Sequence, residues 1–303
     1  MAELNFVEYN VNPNTHNTEN VSIALNGLGF NKISISNNGK ASMWASNSCV
    51  LLLNTLDRDT GLSGIGFNST DAIDGSIYCE TTGLNVAKIN GTNIYTYPVE
   101  RIKSTYDKHF KIIGEAGTDH PLDYFAGVVF NCDNINVLNS INDGLKFRTV
   151  KKSPNYITSV CEHNRFNIMW NVNKTNFGMH TLVIKTDDII DLTSKFIAKG
   201  FSSPKINKEQ KAVIEQIYKN NDNLPPKHIT RGWEFNLAGK DKSYVLEKNF
   251  PEALPNLELI ISQRHNHNGL NEDSIFYYSL FFWNWSSCKN FTVFLCTKLK
   301  RQP

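Results

Sequence analysis

The chain repeats itself, and that repeat constrains its fold more than any other feature. Residues 20–30, NVSIALNGLGF, read like residues 137–147, VLNSINDGLKF. Both carry apolar residues at helical spacing and both close on Gly-Leu-x-Phe, with Gly27 and Gly144 in the last turn of each predicted helix. A second match joins SGIGFNSTDAI (63–73) to MHTLVIKTDDI (179–189). Each reads as a short strand running into an Asp that can cap a new helix, and those helices are expected to end at Gly83 and Gly200. Gly27 and Gly144 are 117 residues apart, as are Gly83 and Gly200; Asp71 and Asp187 are 116 apart. Near-constant spacing over three landmarks implies a duplicated unit.

Each copy opens with a predicted strand, 6–11 or 127–132, and a helix follows. Further strands are predicted at 48–54 and 93–97 in the first copy, and at 166–172, 232–237, 243–246 and 257–262 in the second. The expected layout is a first domain over 1–101, a linker over 102–121 containing Gly114, Gly117 and Pro121, and a second domain over 122–270. An additional helix is predicted inside the second copy at 207–220. Val213, Ile214, Ile217 and Tyr218 share one of its faces, and Pro225 and Pro226 follow it. Residues 271–303 form an apolar C-terminal extension whose aromatic stretch, 275–285, is shorter than the roughly 20 residues a bilayer span takes. Packing or a homodimer contact is the expectation for it.

Charge removes whole classes of partner. Lys and Arg total 31 against 29 Asp and Glu, a net charge of +2, so no global field draws the chain to nucleic acid or to a membrane. The six cysteines are scattered with no CxxC pair, which argues against a zinc ribbon and for reduced thiols. The opening MAELNFVEYN has neither a basic stretch nor a long apolar core, so the expected compartment is the cytoplasm. No phosphate loop, HExxH or nucleophile elbow is present.

The segments GMHTLVIKTDDI (178–189) and LELIISQR (257–264) resemble the vicinal oxygen chelate superfamily, the glyoxalase, bleomycin-resistance and dioxygenase proteins. The resemblance runs over about residues 4 to 270, and 229–267 is similar to the tail of uncharacterised glyoxalase-like proteins. It implies an α+β fold of tandem βαβββ modules forming two glyoxalase-like curved-sheet (half-barrel) domains. It also implies a divalent metal that holds and polarises substrate oxygens, with ligands on the first, fifth and closing strands of a domain. Carried onto this sequence, the first-strand position falls on Phe6 and on Gly127. The fifth-strand position falls on Ile65 and on Thr181, with His180 one residue before and therefore expected on the other face. Only Glu258, on the closing strand of copy two, keeps a ligand. The expected metal site is thus degenerate, and no cofactor is expected.

Glu258 is the candidate catalytic residue. It can act as a general base or an anchor for a polar ligand, or it can pair with Arg231 or Arg264. The candidate ligand-binding residues are Thr181, Arg231, Trp233, Gly127 and His180, on the concave sheet of copy two. Gly127 leaves room there, and the helix at 207–220 can serve as a lid. Glu8 alternates with Phe6 and Asn10, so the three can share a cavity, or Glu8 can lie at an exposed edge. His265 and His267, with His163 and His180, could share a metal, although Asn266, Asn268 and Gly269 indicate a loop. Trp44, Trp170, Trp233 and Phe235 can stack on a planar ligand or fill the core. Three functions stay open: an enzyme with a reorganised site, a metal-free small-molecule binding or sequestering protein of bleomycin-resistance type, and a structural or interaction protein with filled barrels.

Overall fold

Alternating and β-branched segments punctuated by Asn-Gly and Gly turns make the described residues mostly strand. The computed structural model describes residues 3–80, 83–98, 107–116, 122–132, 135–152, 156–161, 166–172, 177–186, 233–235, 242–246 and 254–263. The first nine strands are β1 (Glu3–Val11), β2 (Asn31–Ser36), β3 (Ala41–Ser46), β4 (Cys49–Thr55), β5 (Gly61–Asn68), β6 (Ile77–Cys79), β7 (Leu84–Ile89), β8 (Thr92–Tyr97) and β9 (Phe110–Ile112). They form one sheet in the order β6-β7-β8-β5-β1-β4-β3-β2-β9. The other strands are β10 (Leu122–Cys132), β11 (Arg148–Lys152), β12 (Tyr156–Val160), β13 (Asn167–Val172), β14 (Gly178–Thr186), β15 (Trp233–Phe235), β16 (Lys242–Leu246) and β17 (Glu258–Gln263). Their order is β11-β12-β13-β10-β14-β17-β16-β15.

Read from the opposite edge, and leaving β9 aside, the first sheet has the order of the second. The pairing directions agree as well. β1 runs parallel to β4 and antiparallel to β5, as β10 does to β13 and β14. β5 is parallel to β8, and β14 to β17. In each sheet a βαβββ half, β1 to β4 or β10 to β13, meets a second group of four strands along the antiparallel β1–β5 or β10–β14 seam. Tandem βαβββ modules in two curved sheets therefore describe the fold.

The Gly-Leu-x-Phe motif closes both helices, α1 (Thr18–Gly27) and α2 (Ile135–Leu145), in one way. The third residue of the motif takes the left-handed conformation: Gly29 at φ 93° and Lys146 at φ 57°. The Phe amide then reaches back five residues, Phe30 N–H to Leu25 O at 2.9 Å and Phe147 N–H to Asn142 O at 2.8 Å. The Asn17 side chain accepts the Glu19 amide at the start of α1.

One apolar core joins the helices to the helix-facing sides of both sheets. Val7, Tyr9, Val11, Leu25, Ile65 and Phe67 from the first copy are buried with Val128, Phe130, Ile141, Trp170 and Leu182 from the second. Aromatic contacts cross between copies. Phe30 stacks with Phe125 at 6.3 Å, and Phe67 meets Phe147 and Phe166 edge-on at 5.7 and 5.8 Å. Gly144 is required at this junction, because a Cβ there would stand 2.9 Å from the Ile73 Cα. Trp44 and Trp170 lie in this core, so the stacking role considered for them does not apply.

Two expectations need correction. No helix follows Asp71 in the first copy. Residues 71–76 turn through Gly75 at φ 76° and enter β6, because Ile77, Tyr78 and Cys79 favour extended backbone. The interval 102–121, expected as a linker, is described over 107–116. It contains β9, which pairs antiparallel with β2, and the Gly114 amide donates to Ile33 O at 3.2 Å. Ile65 faces the core, and Gly64, not Ile65, holds the register position of Thr181: Gly64 pairs with Glu8 as Thr181 pairs with Val129. The predicted helix at 207–220, the second-copy helix ending at Gly200, and the extension 271–303 lie outside the described residues. Among the described residues no helix is long and apolar enough to cross a membrane.

Candidate functional site

Side chains alternate along a strand, so the residues that skip the core define an outer face on each sheet. In the second sheet that face carries Val129 on β10, Met169 on β13, and Thr181 and Val183 on β14. Ala126, Val129, Met169 and Val183 form a separate small cluster, with Tyr124 and Tyr156 packed against it. Gly127 pairs with Val183, and Thr181 pairs with both Val129 and Glu258. Gly127, Thr181 and the backbone of Glu258 thus stand on three adjacent strands.

His180 breaks the alternation. Along β10 the step from Val129 to Phe130 is one residue, whereas its partners on β14 are Thr181 and Met179. His180 is the extra residue of a β-bulge. The sequence expectation placed it opposite Thr181, and the bulge reverses that. The His180 ring reaches Thr181 Oγ1 through Nδ1 at 2.6 Å and Asn131 Oδ1 through Nε2 at 3.2 Å. Asn131 also accepts from Asn171 Nδ2 at 3.2 Å. Thr181 is fully buried, and nearby Lys185 is buried against Asp123 at 2.8 Å and over the Tyr124 ring at 5.1 Å.

The other sequence candidates divide. Trp233 is on edge strand β15, in the row that runs through Tyr244 and Ile261 to Ile184, three residues along β14 from Thr181. Arg231, Arg264, His163, His265 and His267 lie outside the described residues. Among the described residues, no three His, Cys, Asp or Glu come together to hold a metal. Gly127 has no side chain, the Thr181 hydroxyl is engaged by His180, and Val129 and Met169 line the same row.

The first sheet holds a polar group that the sequence reading left open. Glu8 is not at an exposed edge; it is 6 % exposed on the central strand β1. Its Oε1 accepts from Asn54 Nδ2 on β4, and its Oε2 accepts from Tyr95 OH on β8 at 3.0 Å. Asn93 Nδ2 donates to the same Tyr95 oxygen at 3.0 Å. Burial pushes the Glu8 carboxyl above its ordinary value, and the bonds from Tyr95 and Asn54 pull it partly back. Asn10 and Asn54 pair in register, and so do Asn131 and Asn171. An Asn at one place in each strand of both copies was the available signal for this polar layer.

Comparison with solved structures follows from this geometry. The chain is similar over 92% of its length to a xylose isomerase-like TIM barrel/4-hydroxyphenylpyruvate dioxygenase fusion protein, at 11% identity and a TM-score of 0.69. It spans only 51% of that fusion protein. A mutant of 4-hydroxymandelate synthase from Streptomyces coelicolor matches at 12% identity and a TM-score of 0.63, over 90% of this chain and 95% of the other. The 2,3-dioxygenase LapB from Pseudomonas sp. KL28 matches at 11% identity and a TM-score of 0.54, over 88% and 93%. The chain has the vicinal oxygen chelate fold. No protein-family model matches the chain, and no curated protein does.

Proposed function

We propose that the chain is a metal-independent small-molecule binding protein of vicinal oxygen chelate fold, with its ligand on the outer face of the second sheet. The bulge at His180 carries the reading. It brings an imidazole to Thr181 and Asn131, on the strand next to Glu258, in a fold whose first- and fifth-strand metal positions here fall on Gly127 and Thr181. Imidazole, hydroxyl and amide around an apolar cluster supply a few polar anchors in an apolar setting, the usual make-up of a ligand site. Glu258 would anchor a polar group or accept its proton. The names of the neighbours supply probes, 4-hydroxyphenylpyruvate and 4-hydroxymandelate.

Calorimetric titration of the full chain with each probe, in chelator and then with added ferrous iron, tests the proposal. Saturable binding in chelator, weakened about ten-fold by His180→Ala, is expected, a loss of ~1.4 kcal/mol. Binding that needs iron, or no binding of either probe, would overturn it.

A further inference from the structure

The first sheet contains a second candidate site, independent of the one at His180. Row by row, the two sheets correspond. Leu52, Glu8, Gly64 and Asn93 lie across the first, and Met169, Val129, Thr181 and Glu258 across the second. At the place of Glu8 the second sheet has Val129, buried and packed with Met169. The fold itself therefore asks for no carboxyl there, and burying one costs stability unless its bonds compensate.

The surroundings are shaped around that carboxyl. A Cβ on Gly64 would stand 2.2 Å from Glu8 Oε2, and one on Gly66 would stand 2.2 Å from the Phe6 ring. The two glycines of β5 let Glu8 and Phe6 lie across the strand. Phe6 stacks with Tyr97 at 6.2 Å and tilts against Tyr95 at 5.6 Å, which makes an aromatic wall beside the acid. The polar chain leads outward, from buried Glu8 through the Tyr95 hydroxyl to the Asn93 amide. Tyr95 and Asn93 are both half-buried, as are Met43 and Leu52 on the other side. Asn54 and Tyr95 bond the carboxyl, and the Asn93 and Ser63 side chains also act on it, so polar groups converge on this point from three strands.

From this geometry we infer that the outer face of the first sheet binds a flat, uncharged hydroxyl-bearing aromatic molecule, a phenol-like ring. Its hydroxyl would meet Glu8 and Asn93, and its ring would lie along Phe6 and Tyr95. An anionic ring is disfavoured by the acid at the centre.

Phenol serves as the probe, followed by amide chemical-shift changes in the isotope-labelled full chain, with benzoate as the anionic control. Phenol should shift Gly64, Asn93 and Asn54 in a saturable way, and benzoate should bind at least about ten-fold more weakly. Asn93→Ala, on the half-buried rim, should weaken phenol binding several-fold, and Glu8→Gln should do so more strongly. His180→Ala should leave it unchanged. Equal binding of benzoate overturns the ligand class. No shift at these amides, or unchanged affinity in the folded Asn93→Ala protein, overturns the site.

Discussion

At the scale of single residues, Gly64 and Glu8 are one decision written in two strands. Gly64→Ala would drive a methyl into the Glu8 carboxyl and within 2.9 Å of the Tyr95 ring. We expect it to cost about 1–3 kcal/mol, read as a lower urea midpoint. Glu8 also sets a pH dependence. Its carboxyl titrates higher in the folded chain than its ordinary 4.5, so the folded state holds the proton more tightly. Its contribution to stability is full below pH 4.5 and is lost as pH rises through the raised folded value. The hydroxyl of Tyr95, pushed up by burial and by Glu8, stays protonated across this window, and Arg58 acts on it more weakly. Urea midpoints against pH should slope downward there in the wild type and flatten in Glu8→Gln. An unchanged slope would show that Glu8 is not the group responsible. Lys146 offers a gain instead. It holds φ 57° at an exposed helix end where the first copy has Gly29, and Lys146→Gly should stabilise by about 0.5–1 kcal/mol in the same assay.

At the scale of elements, the turn that feeds β17 is tied to the first sheet. Tyr9 OH donates to Pro255 O at 2.5 Å, and Asn256 Nδ2 donates to Thr60 O at 2.8 Å. Asn256 takes φ 59°, and Leu254 is buried in the shared core. The strand that begins at Glu258 is thus positioned from the other copy. Tyr9→Phe leaves the Pro255 carbonyl without this donor and should cost about 1–3 kcal/mol. Hydrogen exchange should then quicken in β17 and stay unchanged in the distant β2 and β3. Uniform acceleration throughout the chain would mean that the bond supports global stability and not this strand.

At the scale of the molecule, the two sheets share a core, so they should unfold together. Phe30, Phe67, Ile73 and Gly144 belong to contacts between copies. Thermal unfolding followed by near- and far-ultraviolet circular dichroism should give coincident transitions. Two separated transitions would show that each sheet carries its own stability.

Much of the architecture was legible from local pattern. Gly-Leu-x-Phe announces a helix end because its third residue must turn left-handed, and that requirement is local. Strands such as 167–172 and 258–263 fall within a residue or two of their predicted spans because apolar and β-branched runs are local as well. The 117-residue spacing even survives into the bulges, where Ser63 and His180 are the extra residues of β5 and β14. What the sequence could not decide was which way those residues face. Strand alternation places His180 opposite Thr181; one extra residue in the pairing with β10 reverses it, and that pairing is a property of two distant strands. Glu8 read more readily as an exposed strand residue than as an enclosed one, because its burial is made by Asn54, Gly64 and Tyr95 on three other strands. Period and turn chemistry act between near neighbours and are written in the sequence, whereas register, bulges and the company of a buried charge arise only when remote strands meet.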